Sequence, residues 1–255
     1  MSPARSPSGY ESLPDNERWG NRRPWTRILH LHAGSGSAPL EVTLKIEDIE
    51  RCVGYDALSY VWGYDECEHA LIRDGMPVKI KVNLDAALRS LRHPTQVRRL
   101  WVDAVCIDQD NVEEQGRQVR IMRLMYARAA RVIVWLGPRK PGTAEAFKLA
   151  SQLQQIRKAL YYAPNDIMKV SPAAGSSLTP ASVQNIIDLD AQAWDYLSDL
   201  LHSAWWERVW CIQEFIVSSY CVAQCGDLQI SMIDLLATTP YISIHRGKYS
   251  EQKLL

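Results

Sequence analysis

The sequence lacks the features by which several classes of protein are recognised. Lys plus Arg and Asp plus Glu both number 29, so no basic excess favours nucleic acid or an anionic membrane surface as a partner. No apolar run is long enough to span a bilayer. No phosphate-binding loop, dinucleotide glycine fingerprint or zinc motif is present. From these absences we expect no membrane span, no bound nucleic acid and no metal site.

The cysteines and aromatic residues are more informative. No secretory signal precedes the six cysteines, which therefore indicate reduced thiols and a cytoplasmic protein. Nine tryptophans stand against two phenylalanines. Because a tryptophan is large and its N–H needs a partner, this composition suits pockets and interfaces.

The length allows one large domain with a substantial core. Residues 1 to about 23 are dominated by Ser, Pro, Gly and charge, a composition that predicts a disordered segment. Residues 24–255 are then predicted to form a single domain. Within it, two predicted helices form an insertion at about 138–202, and residues 163–182 between them form a predicted loop.

Residues 100–109 form the stretch around which we predict the fold to be organised. The stretch is too apolar for a solvent-facing strand and ends in polar residues, which predicts a buried central strand of a parallel sheet. A helix start follows, in which Asn111 caps the helix and Glu114 returns the hydrogen bond. Residues 131–137 predict a second buried strand. This β-α-β order predicts an α/β fold with a right-handed crossover.

In such sheets, ligands bind beyond the carboxyl ends of the strands. Asp108 and Gln109 end the first predicted strand, so we expect them at a site, whereas Asp103 lies within the strand and is not expected there. Capping of the next helix is the simpler role for Asp108. Residues 55–63 predict another buried strand, and the loop after Gly63 lies at the same end of the sheet if the two strands are parallel.

A β-hairpin is predicted beside these strands. Asp74 and Gly75 lie between short apolar runs, and Pro77 places the second strand of the hairpin at a sheet edge. Asn83 then opens a predicted helix. The apolar face of that helix comprises Leu84, Ala87, Leu88 and Leu91.

The densest group of chemically useful side chains lies in the late stretch WWERVWCIQE. On one continuous helix, Glu207, Cys211 and Glu214 share a side. Trp210 then lies one turn before Glu214. A carboxylate beside an aromatic ring and Arg208 can hold a sugar hydroxyl while the ring stacks a base. The simpler interpretation, favoured on spacing alone, is that the tryptophans are core and the charged residues form a solvated face.

Several motifs, taken together, resemble the heterokaryon-incompatibility (HET) domain. The resemblance covers residues 26 to about 230, and it is specific because the motifs occur in the family's order. It implies a fungal cytosolic effector of programmed cell death, triggered when genetically unlike cells fuse. The motifs are YDALSYVWG at 55–63, NL, AL and LR within 83–92, LWVDAVCIDQ at 100–109, Gln118, Met122, Tyr126 and Ala129, VWLG at 134–137, and RVW and QE within 208–214.

A more distant resemblance concerns the chemistry. The sequence WCIQE, from Trp210 to Glu214, is similar to the W-C-x-x-E helix of Toll/interleukin-receptor (TIR) domains. TIR domains are flavodoxin-like, and the enzymatic ones cleave the nicotinamide–ribose bond of NAD with the glutamate of this helix. The resemblance implies an α/β, flavodoxin-like three-layer fold with a mainly parallel central sheet, an added β-hairpin and a helical insertion. It also implies Glu214 as the catalytic residue and NAD as a substrate, with no cofactor.

The other residues of the implied site bind the substrate. One of Trp62, Trp205 and Trp210 stacks nicotinamide or adenine. Asp108, Gln109 and the loop after Gly63 help to hold the ribose and phosphates. The implied substrate-binding residues are Ser59, Tyr60, Trp62, Gly63, Asp108, Gln109, Arg208 and Trp210.

Two classes of function remain open from the sequence. In the first, the protein is an NAD hydrolase that kills by depleting the cofactor. In the second, it is a non-enzymatic death-fold module that self-associates or binds a sensor protein. A raised pKa of Glu214, in a pocket shared with Asp108, favours the first class. A solvent-facing Glu214 with an exposed apolar patch elsewhere favours the second.

Overall fold

The computed structural model describes residues 6–14, 24–63, 68–162, 191–208 and 210–242. Nine strands in this part of the chain form one sheet. In chain order they are β1 Trp25–Leu31, β2 Leu40–Asp48, β3 Asp56–Ser59, β4 Glu68–Arg73, β5 Met76–Lys81, β6 Arg98–Trp101, β7 Arg131–Trp135, β8 Cys221–Cys225 and β9 Leu228–Ser231.

The strands lie in the order β5-β4-β2-β1-β6-β3-β7-β8-β9. Four of the eight pairings between them are parallel and four are antiparallel, so the prediction of a mainly parallel sheet is wrong. Apolar runs predict buried strands but do not record their direction. The centre is nevertheless parallel, because β6, β3, β7 and β8 run the same way. Among these four, the spatial order is second, first, third and fourth in the chain.

Seven α-helices accompany the sheet in the described residues, and none of these is long and apolar enough to cross a membrane. The predicted apolar face of the helix after β5 is confirmed, because its four leucine and alanine side chains are buried. The helices are α1 Val82–Leu91, α2 Asp103–Cys106, α3 Val112–Arg128, α4 Thr143–Tyr162, α5 Ala191–Leu201, α6 Cys211–Ile216 and α7 Met232–Leu236, with a 3-10 helix at Ala204–Glu207.

Helices α4 and α5 occupy the predicted insertion at about 138–202 and contact each other. Residues 163–190, which include the predicted loop at 163–182, lie outside the described residues. The hairpin is also confirmed: β4 and β5 meet at Asp74 and Gly75, whose φ angles of 49° and 82° are typical of a type I′ turn. Strand β5, which contains Pro77, is an edge strand.

The stretch 100–109 is not one strand. Strand β6 ends at Trp101, and the amides of Val105 and Cys106 donate to the carbonyl of Val102, which closes the short helix α2. The stretch is largely buried, as predicted, but burial of an apolar run does not distinguish a strand from a helix. As a consequence, Asp103 rather than Asp108 follows the carboxyl end of a strand.

The predicted start of α3 is confirmed in part. The side chain of Asn111 accepts a hydrogen bond from the amide of Glu114. Glu114 does not return the bond, because its carboxylate is buried and binds both terminal nitrogens of Arg27, at 2.5 and 3.0 Å. The same carboxylate accepts a hydrogen bond from the amide of Asp108.

Residues 6–14 pack against the domain, which contradicts the predicted disorder of residues 1 to about 23 over that part. Tyr10 is buried, and its hydroxyl donates a 3.1 Å hydrogen bond to the carbonyl of Val105. The guanidinium of Arg73 lies 3.8 Å from the centre of the Tyr10 ring and donates to the carbonyl of Ser8. The composition of the segment does not reveal this packing, because most of the segment is polar and one aromatic residue, Tyr10, holds it against the domain. Residues 1–5 and 15–23 lie outside the described residues.

Candidate active site

A buried cluster forms where β3 ends. Ser59, the last residue of β3, donates a hydrogen bond from its hydroxyl to Glu214 Oε2. The indole N–H of Trp205 in turn donates to the Ser59 hydroxyl at 2.7 Å. Glu214 comes from α6, and all three side chains are at most 2% exposed. The tertiary fold therefore joins the carboxyl end of a central strand to the late motif of the sequence.

The second oxygen of the Glu214 carboxylate faces a cation. Oε1 lies 3.7 Å from Arg208 Nη2, and within the described residues neither Oε1 nor Arg208 Nη1 has a hydrogen-bond partner. Burial raises the pKa of Glu214, although the Ser59 hydroxyl, Arg208 and Tyr126 each act to lower it. The carboxylate is therefore oriented by a hydrogen bond to Oε2, while Oε1 is buried and faces Arg208 without accepting a hydrogen bond from the described residues.

Asp103 belongs to the same cluster, although the sequence analysis did not place it at a site. Its Oδ2 accepts a 3.0 Å hydrogen bond from the Trp62 indole, and its Oδ1 accepts from the amide of Ala104 at 2.7 Å. Burial raises the pKa of Asp103 to about 6, and the charge of Glu214 adds to that shift. Two carboxyl groups thus interact in one buried region that also contains Arg208.

Trp62 is the exposed member of the cluster. It is 41% exposed and lies after β3 in a coil segment that includes Gly63, whose φ of 81° lies in the left-handed region. Asn83 fixes the coil by donating a 2.6 Å hydrogen bond to the carbonyl of Val61, while the Trp135 indole donates to Asn83 Oδ1 at 2.9 Å. The loop after Gly63, residues 64–67, lies outside the described residues.

Tyr60 and Tyr126 line the buried side of the cluster. Burial raises the pKa of both hydroxyls well above the usual value, and the charge of Asp103 adds to this in both cases. The Tyr126 hydroxyl donates to the carbonyl of Leu58 at 3.3 Å. Both tyrosines therefore remain neutral at physiological pH and supply polar but uncharged walls.

Gln109 and Asp108 separate in the structure. The Gln109 side chain donates a 3.0 Å hydrogen bond to the backbone carbonyl of Asp103, so it supports the cluster. Asp108 is 1% exposed and accepts a 2.7 Å hydrogen bond from Ser8. Its hydrogen bonds thus tie it to the N-terminal segment and to the start of α3, and none of them reaches Glu214.

The late motif is not one continuous helix. The 3-10 helix ends at Glu207, Arg208 has an extended backbone with φ −79° and ψ 130°, and α6 begins at Cys211. This break leaves Glu207 exposed while Glu214 is buried, so the two carboxylates do not share a side. The solvated-face interpretation therefore holds for Glu207 and is wrong for Glu214. Trp210, at the start of α6, is 52% exposed.

Sequence reasoning missed the roles of Asp103, Trp205 and Asn83. A signal was present for Asp103, because an aspartate one or two residues past an apolar run is compatible with a strand end. Nothing in the spacing of Trp205 or Asn83 indicates a bond to Ser59 or Val61, since each contact joins distant parts of the chain. Among the described residues, no cluster of three or more His, Cys, Asp or Glu is placed to hold a metal ion.

Comparison with known proteins adds an independent finding. The family model described as "Heterokaryon incompatibility protein (HET)" matches residues 55–214, a segment that includes both Ser59 and Glu214. A curated protein of Neurospora crassa, "Heterokaryon incompatibility protein 6, OR allele", is 29% identical over 244 residues, covering 85% of this chain. The chain spans 35% of the length of that relative. No solved structure matches the chain.

Proposed function

The chain belongs to the heterokaryon incompatibility (HET) family, and from this premise we propose that it is a cell-death effector of fungal incompatibility that cleaves the nicotinamide–ribose bond of NAD. The observation that carries the enzymatic part is the Glu214 carboxylate. It is buried, oriented by Ser59 and paired at 3.7 Å with Arg208. A solvated scaffold residue would show none of these features.

The sheet supports a flavodoxin-like, TIR-like interpretation of the fold. The four central parallel strands have the relative order 2-1-3-4, which is the start of the flavodoxin-like order. Ligands in such folds bind at the carboxyl ends of the strands, where the order reverses. Ser59 is the last residue of β3 and Asp103 lies two residues past the end of β6, and these are the first two of the four strands.

The proposed reaction needs little from the protein besides charge and orientation. Nicotinamide leaves as a neutral ring from a cationic precursor, so no general acid is required. A carboxylate that binds the ribose hydroxyls stabilises the oxocarbenium-like ribose of the transition state. In this scheme Glu214 supplies the carboxylate through Oε1, and the free guanidinium nitrogen of Arg208 binds the diphosphate.

Access to Glu214 requires movement, because its side chain is only 2% exposed. Arg208 and Trp62 are the more exposed members of the cluster, with side-chain exposure of 22% for Arg208. In the proposed function, movement of the Arg208 side chain admits the substrate, and the desolvated carboxylate then acts in a region of low dielectric.

The proposed setting is the cytoplasm, where NAD is abundant and thiols are reduced. The five cysteines in the described residues are buried. The small-molecule partner we propose is NAD or a related nucleotide, and the protein partner is a second copy of the chain or a sensor-type protein.

The test is to incubate the purified chain with NAD and measure free nicotinamide. We expect release by the parent chain and a loss of about a hundredfold or more in Glu214→Gln, as for other removed electrostatic stabilisers. Glu207→Gln is the matched control, because it makes the same change at an exposed glutamate seven residues earlier. A parent chain that releases no nicotinamide would rule out the enzymatic proposal.

The alternative is a non-enzymatic module that acts by self-association or by binding a sensor. The observation in its favour is apolar exposure around α6, where Trp210, Ile216 and Tyr220 are 52%, 69% and 54% exposed. Under this alternative, Glu214→Gln kills cells as well as the parent does, while Ile216→Asp abolishes both self-association and toxicity. The buried, charge-paired Glu214 makes the enzyme the better supported of the two.

A further inference from the structure

We propose that Asp103 is a positioning residue that holds the indole of Trp62 as the stacking platform for a planar base of the substrate. The inference rests on the proposed function and deepens it, because it assigns the base-binding position and the group that maintains it. The bond concerned is Trp62 Nε1–H to Asp103 Oδ2, at 3.0 Å.

Of the three tryptophans expected to stack on the substrate, only Trp62 combines an exposed ring with an edge held by a hydrogen bond. Trp205 is 2% exposed and its N–H is bound to Ser59, so it has no ring face to offer. Trp210 is 52% exposed, but within the described residues no hydrogen bond holds its indole. Trp62 is 41% exposed, and Asp103 restrains its edge. A restrained aromatic face loses little entropy when a base stacks on it.

The backbone of Trp62 is restrained on the side of Glu214 as well. Trp62 lies three residues after Ser59, whose hydroxyl binds the Glu214 carboxylate. Between them, the carbonyl of Val61 accepts a hydrogen bond from Asn83. The position of the ring relative to Glu214 is therefore set at two points along the coil, and Asp103 sets its orientation.

Asp103 is itself held firmly enough to serve this purpose. Its Oδ1 accepts from the amide of Ala104, and its backbone carbonyl accepts from Gln109. It is 8% exposed, and the structure shows no salt bridge from its carboxylate among the described residues. Burying such a carboxyl group opposes folding. A positioning role gives this unfavourable burial a physical reason, and the raised pKa of the group, about 6, agrees with it.

The first test observes the ring directly, without any need for turnover. The chain is labelled with 5-fluorotryptophan, and the Trp62 resonance is assigned by its loss in Trp62→Phe. We expect Asp103→Ala to shift and broaden this resonance, and Asp103→Asn to restore most of the parent signal, because the amide oxygen still accepts the indole N–H. Asp110→Asn, at an exposed aspartate, is the control and should change nothing. A Trp62 resonance that is unmoved in Asp103→Ala overturns the inference.

The second test measures affinity for NAD in a Glu214→Gln background, where cleavage is suppressed. We expect Asp103→Ala and Trp62→Ala each to weaken binding about tenfold, the scale of one lost base-stacking contact. The double variant should bind no more weakly than Trp62→Ala alone, because Asp103 acts through the ring. Additive losses would show that Asp103 acts on the substrate independently and would overturn the inference.

The two proposals fail in different ways. If the parent chain releases no nicotinamide, the proposed reaction is wrong. If the parent chain releases nicotinamide and the Trp62 resonance or the double-variant affinity behaves otherwise than stated, the reaction stands and the positioning role of Asp103 is wrong. Thermal melting of each variant identifies any that does not fold. If Asp103→Ala is one of these, Asp103→Leu, which leaves no cavity but cannot accept the Trp62 N–H, replaces it in both tests.

Discussion

The hydroxyl of Ser59 donates a hydrogen bond to Glu214 Oε2, although the two residues are 155 positions apart in the sequence. The Trp205 indole N–H can only donate, so the Ser59 oxygen accepts from it. The ionised carboxylate of Glu214 can only accept, so the hydroxyl hydrogen of Ser59 points to Oε2. Ser59 is therefore suited to orient Glu214 and not to act as a nucleophile.

Replacement of Ser59 should therefore change the titration of Glu214. The Ser59 hydrogen bond lowers the pKa of Glu214, so Ser59→Ala should raise that pKa further. If the ionised carboxylate is the active form, the acid limb of the pH profile of NAD cleavage moves to higher pH. The Trp205 N–H loses its buried partner, which should lower the free energy of unfolding by about 1–3 kcal/mol. Ser151→Ala, at an exposed hydroxyl in α4, should change neither quantity.

Asp103 should make folding depend on pH in a direction opposite to that of most carboxylates. Its pKa in the folded protein, about 6, exceeds the ordinary 3.8, so the folded state binds the proton more tightly. The stability that this provides is present below about pH 4 and is lost as the pH rises to about 6. Relative to Asp103→Asn, the parent should lose up to about 3 kcal/mol across that window. Denaturant unfolding of both proteins from pH 4 to 7 measures this; a difference that does not vary with pH contradicts it.

Tyr10 should matter for stability although it lies in a polar N-terminal segment. The residue is 7% exposed, and its ring lies 3.8 Å from the guanidinium of Arg73 and 4.8 Å from that of Arg27. Tyr10→Ala should lower the free energy of unfolding by about 3 kcal/mol, and Tyr10→Phe, which removes only the bond to Val105, by about 1 kcal/mol. Ser12→Ala, at an exposed position, is the control. An unchanged melting temperature in Tyr10→Ala would show that the segment does not pack in solution.

Two ion pairs of similar length should differ widely in energy. Arg27 and Glu114 approach to 2.5 Å with side chains 2% and 4% exposed, whereas Arg117 and Glu113 approach to 2.6 Å with side chains 54% and 83% exposed. Glu114→Gln leaves the Arg27 charge buried without its counter-ion and should lower the free energy of unfolding by about 3–5 kcal/mol. Glu113→Gln should change it by less than about 0.5 kcal/mol. Urea titrations of both variants compare the two directly, and equal effects would contradict the burial argument.

The predictions that the structure confirmed depend on the conformational preferences and spacing of residues that are close in sequence. The hairpin at Asp74 and Gly75 was predictable because few residues accept two consecutive positive φ angles. The cap at Asn111 was predictable because its side chain is the right length to reach the third amide of the helix. The apolar face of α1 was predictable from a spacing of three and four residues. Each of these depends on neighbours in sequence.

The predictions that were wrong concern features that depend on contacts between distant parts of the chain. Asp103, and not Asp108, lies just past the carboxyl end of a strand, because β6 ends at Trp101, where its pairing with β3 also ends. Glu207 and Glu214 do not share a helix face because Arg208, which lies between them, has an extended backbone. Trp205, on the N-terminal side of this break, donates a hydrogen bond to Ser59. A projection of the sequence onto an ideal helix or strand shows neither where strand pairing ends nor where the backbone becomes extended.

By itself, the sequence determined the family, the order of most strands and helices along the chain and the buried faces, because these follow from motifs and short-range periodicity. Only the tertiary structure decided the direction of the strands, the burial of Glu214 and the residues that contact it. Those properties arise from pairing and desolvation among residues up to 155 positions apart, and no local pattern encodes them.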